Sequence, residues 1–434
     1  VQNTLESKLN NDLNLNFSLS SDISYNILPS PHFLIKNSKI FDDNKENPAA
    51  LSEVKNLKVF ISQKNLFSKK KINLNKIEID NANFSFKNKD LEFLKSFNNK
   101  KFSNKKIKIS KSNIFYRNNE NETISIIKIS RGLLFYDNLK LFNLIELKGN
   151  VFKIPFTLKF TNDINNSNNK ELNIDAKKIE LNIFNRLQKK SEDLIEGINI
   201  LSIMNSKIHT KYNIKNEVIT LESKNSKIKN SNVDFKGGLS FKPFDFQIDI
   251  ILKKYEISKL FNPNSIMMEF IKTKLLFNEN ISTKITIDAS ASKRESIFDS
   301  TKIYFNANNG KLDLDKTKLI NNKIGFLQLN NSNFLFKKNK LILNSDILIK
   351  IKDYKKLFSF LQTPKKARKK LDNILINIDY DFSTNEIDFN RVLIDNIEVN
   401  NETLMIIDEF NFEEVNNLNK SRRLFNRLLS AYDG

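Results

Sequence analysis

The stretch Ile77-Glu-Ile-Asp-Asn-Ala-Asn83-Phe-Ser-Phe86 decides the fold class of this chain. Apolar and polar residues alternate on both sides of a short Asn-rich corner, and a period of two is typical of half-buried β-strands. The same pattern of strand, corner and strand returns in Ile107-Lys-Ile-Ser-Lys-Ser-Asn113-Ile-Phe115, Leu201-Ser-Ile-Met-Asn-Ser-Lys207-Ile208, Ser231-Asn232-Val233-Asp-Phe235 and Leu327-Gln-Leu-Asn-Asn-Ser-Asn333-Phe-Leu-Phe336. Because the spacing is irregular, the pattern predicts a long antiparallel sheet rather than a solenoid of fixed period. Chance recurrence in an Asn-rich chain is the alternative interpretation.

Outward from these strands, five segments change to helical spacing. They are Leu91–Phe97, Ile183–Ile198, Tyr255–Phe277, Tyr354–Leu371 and Phe410–Tyr432, and we expect Pro263 and Pro364 each to divide a helical segment in two. The last segment is interpreted as a cap on the sheet or as an interfacial membrane helix. The predicted fold is therefore mainly β with a few helices: an elongated, curved, mostly antiparallel sheet with an apolar groove and short capping helices. We expect four regions: residues 1–90, an N-terminal β region; 91–250, a middle β region with a helical insertion; 251–409, a C-terminal β region with helical insertions; and 410–434, a C-terminal amphipathic helix.

The composition excludes several classes of chemistry. The 434 residues contain no Cys, two His and eight Gly. A disulfide framework, a thiolate metal site and a cysteine nucleophile are therefore impossible, and no phosphate-binding glycine motif occurs. We expect no catalytic residue, no metal ligand and no cofactor. Paired carboxylates could still act in a glycan hydrolase, but no spacing marks such a pair.

The formal net charge of +21 has two possible meanings. Phosphate backbones and anionic lipid head groups both attract cations. Lys greatly outnumbers Arg, however, whereas nucleic-acid surfaces favour Arg, and no helix-turn-helix or aromatic–basic platform is present. Abundant Lys, Asn, Ile and Phe are typical of an AT-rich genome, so we predict no nucleic-acid partner. The basic run 364–370 is interpreted as the solvated face of a short helix or as a surface-binding patch.

The order of features at the amino end resembles the AsmA-like family of bacterial envelope proteins. The likeness covers roughly the first 90 residues: Ile27-Leu-Pro29-Ser-Pro31-His-Phe33-Leu-Ile35, then Leu51-Ser-Glu-Val54-Lys-Asn-Leu57-Lys-Val59-Phe-Ile61, then the strand that ends in Asn83-Phe84-Ser-Phe86. Later, Val233-Asp-Phe-Lys-Gly-Gly-Leu239-Ser-Phe241-Lys-Pro243-Phe-Asp-Phe246 is similar to the family's recurring strand pairs. The resemblance implies a periplasmic protein with an inner-membrane anchor, which forms a curved sheet and takes part in lipid traffic and outer-membrane upkeep. Position 1 is Val rather than Met, so we expect the anchor to lie upstream of Val1. The low glycine content departs from the family pattern.

The alternation also suggests a mechanism. A two-sheet sandwich would hide the apolar face, whereas a single curved sheet would leave part of it open to acyl chains. Burial of a methylene group contributes roughly 0.8 kcal/mol, so a 16-carbon chain gains on the order of 10 kcal/mol when it is fully buried. We predict nine residues on inward faces that contact acyl chains: Phe84, Phe86, Ile107, Ile109, Phe334, Phe336, Ile347, Ile349 and Ile351.

The predicted function is therefore non-enzymatic binding or conduction of phospholipid acyl chains along an apolar β groove, in support of outer-membrane lipid homeostasis and assembly. The expected partners are phospholipid, the membrane and envelope proteins. The alternative function is that of a structural or scaffolding envelope protein with no lipid cargo.

Overall fold

A computed structural model of the protein describes residues 1–13, 15–41, 50–62, 73–87, 100–118, 121–164, 169–257, 260, 271, 275–291, 298–337, 340–384, 386–408 and 418–431. The chain divides into two compact units, unit 1 (Val1–Asn213) and unit 2 (Ile214–Gly434). Each unit is described by itself.

Unit 1 consists of helix α1 (Gln2–Leu13) and a succession of strands. These strands are β1 (Asn16–Ser18), β2 (Ile23–Asn26), β3 (His32–Phe41), β4 (Ala50–Ile61), β5 (Leu74–Lys87), β6 (Lys106–Arg117), β7 (Thr123–Asp137), β8 (Phe142–Val151), β9 (Ile154–Asp163), β10 (Lys170–Ala176), β11 (Leu181–Lys189), β12 (Leu194–Ile203) and β13 (Ser206–Lys215), which ends just past the unit boundary.

From β3 to β12 the strands of unit 1 pair in chain order. The pairs are antiparallel except for β5 and β6, which run parallel. A parallel pair requires a crossover connection of a dozen or more residues, and residues 88–105 supply it. The short strands β1 and β2 both pair with β3.

The first strands of unit 1 bend together at a shared corner. Asn37, Asn81 and Lys111 have φ angles of 54°, 57° and 47°, in the left-handed region, in the middle of β3, β5 and β6. At each corner the apolar positions change from odd to even numbers, as from Ile77 and Ile79 to Ala82 and Phe84 in β5. The extra residue therefore keeps the apolar side chains on one face while the strand changes direction.

Side chains replace part of the backbone hydrogen bonding at this corner. The Ala82 amide donates to Ser112 Oγ over 3.0 Å, and that hydroxyl donates to the Ser110 carbonyl over 2.7 Å. Ser110 Oγ in turn donates to Asp80 Oδ1 over 2.8 Å. Short hydroxyl and carboxylate side chains satisfy backbone groups where regular ladders are interrupted, which explains the Asn, Ser and Asp composition of the corners.

Helix α1 covers the beginning of the sheet of unit 1. Leu5, Leu9 and Leu13 recur every four residues, so they share one side of the helix, and all three are buried. They belong to one core cluster with the apolar residues of β3 to β7, which include Ile35, Leu57, Ile77, Ile79 and Ile109.

The described residues of unit 2 form further strands and the three helices named below. Its strands are β14 (Val218–Ile228), β15 (Ser231–Phe241), β16 (Phe244–Tyr255), β17 (Ile281–Ala291), β18 (Ser300–Asn308), β19 (Lys311–Asp313), β20 (Lys318–Asn321), β21 (Gly325–Lys337), β22 (Lys340–Ile351), β23 (Asn373–Asp381), β24 (Glu386–Ile394) and β25 (Ile397–Glu398). Its helices are α2 (Tyr354–Leu361), α3 (Asn401–Asp408) and α4 (Leu418–Ala431).

The strands of unit 2 follow the same rule of pairing between chain neighbours. All these pairs are antiparallel except β16 with β17, which run parallel. The short strands β19 and β20 lie end to end, and each pairs with β18 on one side and with β21 on the other. Asn331, with a φ of 48°, forms a second corner in the middle of β21. Three core clusters follow along the sheet, and the last of them includes side chains of α2, α3 and α4.

The prediction of a mainly β protein with few helices is confirmed. The finer prediction of a curved sheet with a groove does not describe the architecture, which is that of a β-solenoid. In each unit the strands contact their chain neighbours in a one-dimensional succession and bend at corners. The predicted corners of the 77–86, 107–115 and 327–336 segments lie inside single strands, whereas Met204 forms a true turn between β12 and β13.

The helical predictions have different outcomes. Tyr354–Leu371 does contain a helix that ends before Pro364, followed by a 3-10 turn at Lys365–Ala367, and α4 lies within the predicted C-terminal segment. The prediction for Ile183–Ile198 is wrong, because this segment forms parts of β11 and β12. Leu91–Phe97 and most of Tyr255–Phe277 lie outside the described residues, and Leu275–Phe277 is a 3-10 turn. The four-region division is finer than the two compact units and stays a prediction.

Candidate functional site

One face of unit 1 carries an apolar row that crosses ten strands. Each residue of this row pairs directly with the next one, so all the side chains share a face. The row runs from β3 to β12 as Ile35, Leu57, Ile79, Ile109, Gly132, Leu147, Leu158, Ile174, Ile183 and Leu201.

The exposure of this apolar row changes along its length. Ile35 and Leu57 are 0% exposed and Ile109 is 8% exposed, because α1 and its neighbours cover them. From Leu147 to Leu201 every side chain of the row is only half-buried. The second half of the row therefore presents a strip of hydrocarbon that the described part of the chain does not cover completely.

A polar row lies beside the apolar row, on the opposite face of strands β5 to β12. Direct pairs join the residues of this polar row, each of which is the chain neighbour of a member of the apolar row: Asp80, Ser110, Arg131, Lys148, Thr157, Asp175, Asn182 and Ser202. Water can solvate this polar row, so the two neighbouring rows have distinct chemistry.

Two titratable groups lie near the half-buried part of the apolar row. Lys170 shares the face of Leu172 and Ile174, and burial lowers the pKa of its ammonium group. Tyr212 packs on Gly197, where a Cβ atom would lie 2.1 Å from the tyrosine Cζ. Burial raises the pKa of Tyr212, and the 2.9 Å hydrogen bond that its hydroxyl donates to Asn185 opposes this rise.

Unit 2 contains an apolar chamber of about 220 Å³ between the end of its sheet and two helices. Strands β21 to β24 form one wall, and α3 and α4 contribute Ile407, Phe425 and Leu428. The residues that line the chamber are Leu327, Ile347, Ile349, Ile374, Ile376, Ile378, Ile387, Phe389, Val392, Ile394, Thr403, Ile407, Phe425 and Leu428. Since an apolar cavity of about 150 Å³ can hold benzene, this chamber has room for a segment of hydrocarbon chain.

Hydrogen bonds at the end of α2 fix the position of α4. Arg422 Nε donates to the Phe360 carbonyl over 2.9 Å, and Asn426 Nδ2 donates to the Leu361 carbonyl over 3.0 Å. The Thr363 hydroxyl donates to Asn426 Oδ1 over 2.7 Å. These bonds satisfy carbonyl groups at the C-terminus of α2, which have no partner within the helix. They hold α4 with Phe425 and Leu428 directed toward the chamber.

Thr403 is the one polar residue among the described residues that line the chamber. Its side chain is 0% exposed, and its hydroxyl has no hydrogen-bond partner among the described residues. The Thr403 amide donates to Asn400 Oδ1 over 2.9 Å, which caps the start of α3. The chamber is otherwise lined by aliphatic and phenylalanine side chains.

The nine residues predicted from the sequence fall into three environments. Ile347 and Ile349 line the chamber. Ile109, Phe334 and Ile351 are buried in core clusters, and Phe84, Ile107 and Phe336 pack against such clusters. Phe86 is half-buried and pairs with Tyr116 in the parallel β5–β6 ladder. Whether any of them contacts an acyl chain stays a prediction.

The half-buried residues of the apolar row are not among the nine residues predicted from the sequence. The alternation in Ile154-Pro-Phe-Thr-Leu-Lys-Phe160 is the signal that could have identified Leu158. Ile183 lies in the segment for which the sequence predicts a helix, and no local pattern links it to Ile174 or Leu201. The predicted amphipathic helix over residues 410–434 contains Phe425 and Leu428, but the prediction does not place them at a chamber.

Comparisons with protein-family models, with curated proteins and with solved structures find no match to this chain. The AsmA-like resemblance therefore stays a hypothesis. Among the described residues, no group of His, Cys, Asp or Glu side chains is arranged to hold a metal ion. No helix in the described ranges is long and apolar enough to cross a membrane.

Proposed function

We propose that this protein binds phospholipid acyl chains along the apolar faces of its sheets, as a non-enzymatic protein of the bacterial envelope. In this role it supports the lipid homeostasis and assembly of the outer membrane. The observation that carries the proposal is the apolar row of unit 1, which crosses ten strands and becomes half-buried after Gly132. The envelope location and the periplasmic side of the membrane follow from the AsmA-like resemblance.

The energetics of acyl-chain binding suit such a surface. A chain that lies along the half-buried residues exchanges water for Leu, Ile and Phe side chains, with a gain of roughly 0.8 kcal/mol for each buried methylene group. Successive strands repeat nearly the same chemistry, so neighbouring positions have similar affinity and a chain can slide between them. The chamber of unit 2 offers a second, more enclosed apolar site.

Mass spectrometry of the lipid that copurifies with the protein tests the proposal. The double variant Leu158→Asn and Ile174→Asn places amides in the half-buried part of the apolar row, where an unpaired polar group disfavours hydrocarbon. Because of these amide groups, we expect the amount of phospholipid bound per protein to be at least about threefold lower in this variant than in the wild type. The control variant Thr157→Asn and Lys159→Asn alters the opposite face of β9 and should keep its lipid.

The alternative function is a scaffold that recruits envelope proteins and carries no lipid. Wild-type protein extracted in mild detergent without stoichiometric phospholipid would support this alternative and contradict the proposal. Equal lipid contents in the apolar-row variant and in the control variant would show that the row is not the binding surface.

A further inference from the structure

An exposed turn at one edge of unit 1 carries apolar side chains at its tip. Residues 138–141 connect β7 to β8, and in this turn Leu139 is 95% exposed and Leu141 is 47% exposed. Turns normally use Gly, Asn, Asp or Ser, which suit both the backbone and the solvent. The two leucines add little buried area to the fold, so folding alone does not explain them.

Hydrogen bonds fix the conformation of this turn. Asp137 Oδ1 accepts hydrogen bonds from the backbone amide of Leu139 over 3.0 Å and from that of Lys140 over 3.1 Å. The Leu141 amide donates to the Asp137 carbonyl over 2.7 Å. The leucines are therefore presented to solvent in a defined backbone conformation, which lowers the entropy cost of binding to a partner surface.

A dense run of lysines lies at the base of the same turn. Residues 100–106 include four of them, Lys100, Lys101, Lys105 and Lys106. The side chain of Asn143, in β8, donates to the Lys100 carbonyl over 2.8 Å and accepts from the Phe102 amide over 2.9 Å. The Tyr136 amide, in β7, donates to the Ser103 carbonyl over 2.8 Å. The lysine run is therefore held against the two strands that the turn connects.

Two lysines of this run hold their ammonium groups over aromatic rings of β7. Lys101 Nζ lies 4.0 Å from the centroid of the Tyr136 ring, and Lys106 Nζ lies 5.2 Å from that of Phe135. Both rings belong to the last residues of β7 before the turn. Because both lysines are exposed, their charge stays available to an anionic partner.

The balance of charge beside the turn is positive. Lys140 lies in the turn itself, so it adds a fifth lysine to the four of the run. Among the described residues at this end of β7, β8 and β9, the acidic ones are Asp137 and Asp163. The Asp137 carboxylate accepts the turn amides, and Asp163 pairs with Phe142 at the start of β8.

A second apolar turn lies along the same edge of the unit 1 sheet. Between β2 and β3, Leu28 is 82% exposed and Ile27 is 68% exposed. A row of direct pairs joins the start of β3 to the lysine run at the start of β6: His32, Phe60, Lys76 and Lys106. Strand spacing places β3 and β7 about 19 Å apart along the sheet. Both apolar turns and the lysine run therefore belong to one surface.

Leucines beside lysines match the surface of a membrane that contains anionic lipid. Apolar side chains enter the boundary between head groups and acyl chains, and ammonium groups attract the lipid phosphates. A nucleic acid would match the lysines but leave the leucines in water. An apolar protein surface would match the leucines but desolvate the lysines.

We propose that this edge of unit 1 docks on the surface of a membrane that contains anionic phospholipid. Leu139 and Leu141 insert at the head-group boundary, and Lys100, Lys101 and Lys140 bind the lipid phosphates. The inference goes beyond the proposed function, because docking requires no acyl chain to leave the bilayer.

Cosedimentation of the full chain with vesicles tests the inference. One set of vesicles contains phosphatidylcholine alone, and the other contains equal parts phosphatidylcholine and phosphatidylglycerol. We expect the wild-type protein to bind the mixed vesicles at least about tenfold more tightly than the phosphatidylcholine vesicles. Added salt should weaken this binding, because it screens the lysine charges.

The variant Leu139→Asn with Leu141→Asn tests the apolar tip. Residue 141 has a φ of 60°, which Asn tolerates better than Leu, so the thermal unfolding of the variant should match that of the wild type. We expect its binding to mixed vesicles to be about tenfold weaker or more. Phe152→Asn with Met204→Asn is the matched control and should bind normally. These two residues are 75% and 69% exposed, have φ angles of 49° and 46°, and lie in turns at the opposite edge.

The variant Lys100→Gln with Lys140→Gln tests the charge. We expect its binding to mixed vesicles to fall about tenfold or more, and its binding to phosphatidylcholine vesicles to stay unchanged. The control Lys177→Gln with Lys178→Gln removes the same charge from exposed positions at the opposite edge, between β10 and β11, and should bind like the wild type.

The outcomes separate this inference from the proposed function. The apolar-row variant Leu158→Asn with Ile174→Asn should still bind mixed vesicles, although it loses copurified lipid. Equal binding of the wild-type protein to both kinds of vesicle, or equal losses in the tip variant and its opposite-edge control, would refute docking through this edge. A protein that carries copurified phospholipid but binds no vesicles would overturn the docking and leave the proposed function standing.

Discussion

The corner residues show how single side chains shape the sheets. A positive φ in mid-strand is unfavourable for most residues, and Asn tolerates it better than other non-glycine residues. Asn37, Asn81 and Asn331 occupy such positions, and the neighbouring hydroxyl groups of Ser112 and Ser332 accept hydrogen bonds from the backbone amides of Ala82 and Leu314. The chain thus bends its strands without glycine, at the places where Asn and Ser follow an alternating run.

The two adjacent glycines of β15 test how closely the neighbouring strands approach a glycine Cα atom. A Cβ atom at Gly237 would lie 2.5 Å from the Gln247 carbonyl oxygen, whereas the nearest atom to a Cβ at Gly238 lies 3.8 Å away. We expect Gly237→Ala to lower the free energy of unfolding by about 1–3 kcal/mol, because the β15–β16 pair must separate. Gly238→Ala should leave it unchanged or raise it by up to about 1 kcal/mol. Urea denaturation measures both; equal losses would contradict the packing described for β15 and β16.

Thr403 provides a second prediction at this scale. Its buried hydroxyl has no partner among the described residues, and an unsatisfied buried hydroxyl costs about 1–3 kcal/mol. Thr403→Val should therefore raise the free energy of unfolding, by about 1 kcal/mol.

Thr301 is the control for this substitution. It is also buried, but its hydroxyl donates to the Lys318 carbonyl over 2.8 Å. Thr301→Val should be destabilising in the same thermal or chemical denaturation experiment. A loss of stability in both variants would mean that the Thr403 hydroxyl has a partner.

At the scale of elements, the paired strands owe their register to the apolar faces. In the β21–β22 hairpin, Leu329 pairs with Ile347 and Phe334 with Leu343, on either side of the Asn331 corner. A slip by one residue would turn all these side chains to solvent, so register is strongly specified. Polar pairs such as Asn331 with Asp346, joined by a 2.7 Å hydrogen bond, reinforce it on the other face.

The beginning of β22 carries an ion pair with a pH-dependent effect. Lys340 Nζ lies 2.9 Å from Asp381 Oδ2. Burial would raise the pKa of Asp381, but hydrogen bonds from Lys340 and Ser383 and the charge of Lys340 together hold it below its ordinary value of 3.8. Because the folded-state pKa is depressed, the pair stabilises the fold above pH 3.8, and this contribution is lost as the pH falls through the folded-state pKa.

We therefore expect Lys340→Gln to raise the pKa of Asp381 and to be destabilising at pH 7 but not in strong acid. NMR titration of the Asp381 carboxyl carbon and denaturation at both pH values measure these effects. Lys337→Gln is the control, since Lys337 lies 3.8 Å from Asp379 at the same hairpin end and does not reach Asp381 at bonding distance. An unchanged Asp381 pKa in Lys340→Gln would show that the ion pair does not persist in solution.

The sequence predicts strands well where alternation is unbroken and less well where it is interrupted. Residues four apart share a face in a helix and in a strand alike, so Ile183 and Leu187 fit both periods. Asn185 and Gly197 interrupt the apolar alternation of β11 and β12, and the helical interpretation of Ile183–Ile198 followed from that ambiguity. Alternation predicts which side chains of a strand share a face. It does not predict which elements cover that face, because the covering helices α1 and α4 come from other parts of the chain.

At the scale of the whole molecule, the covering of the apolar faces varies more than their chemistry. In unit 1 the row begins under α1 and ends half-buried, and in unit 2 the end of the sheet is covered by α3 and α4 around a chamber. A protein that only needed a core would gain stability by covering the whole row. Within the described ranges the covering is incomplete, and this is the property that the proposed lipid binding requires.

This gradient predicts a gradient of amide hydrogen exchange within unit 1. Strands β4 and β10 are both paired on two sides, but Leu57 of β4 is 0% exposed while Ile174 of β10 is half-buried. Exchange follows local opening, which is more frequent where fewer apolar contacts are broken. We expect amides of β4 to exchange at least about tenfold more slowly than those of β10. Added phospholipid should slow the amide exchange of β10 more than that of β4. Equal exchange rates in the two strands would contradict the gradient of covering.

The two parallel pairs, β5 with β6 and β16 with β17, have a consequence for synthesis at the ribosome. An antiparallel hairpin can form as soon as its second strand emerges, within microseconds. The partners of a parallel pair are separated by residues 88–105 or 256–280, so the growing chain must wait for a whole crossover before the next strand can dock. We therefore expect the edges of β5 and β16 to stay unpaired for longer during synthesis than the edges of strands that form hairpins with the next strand.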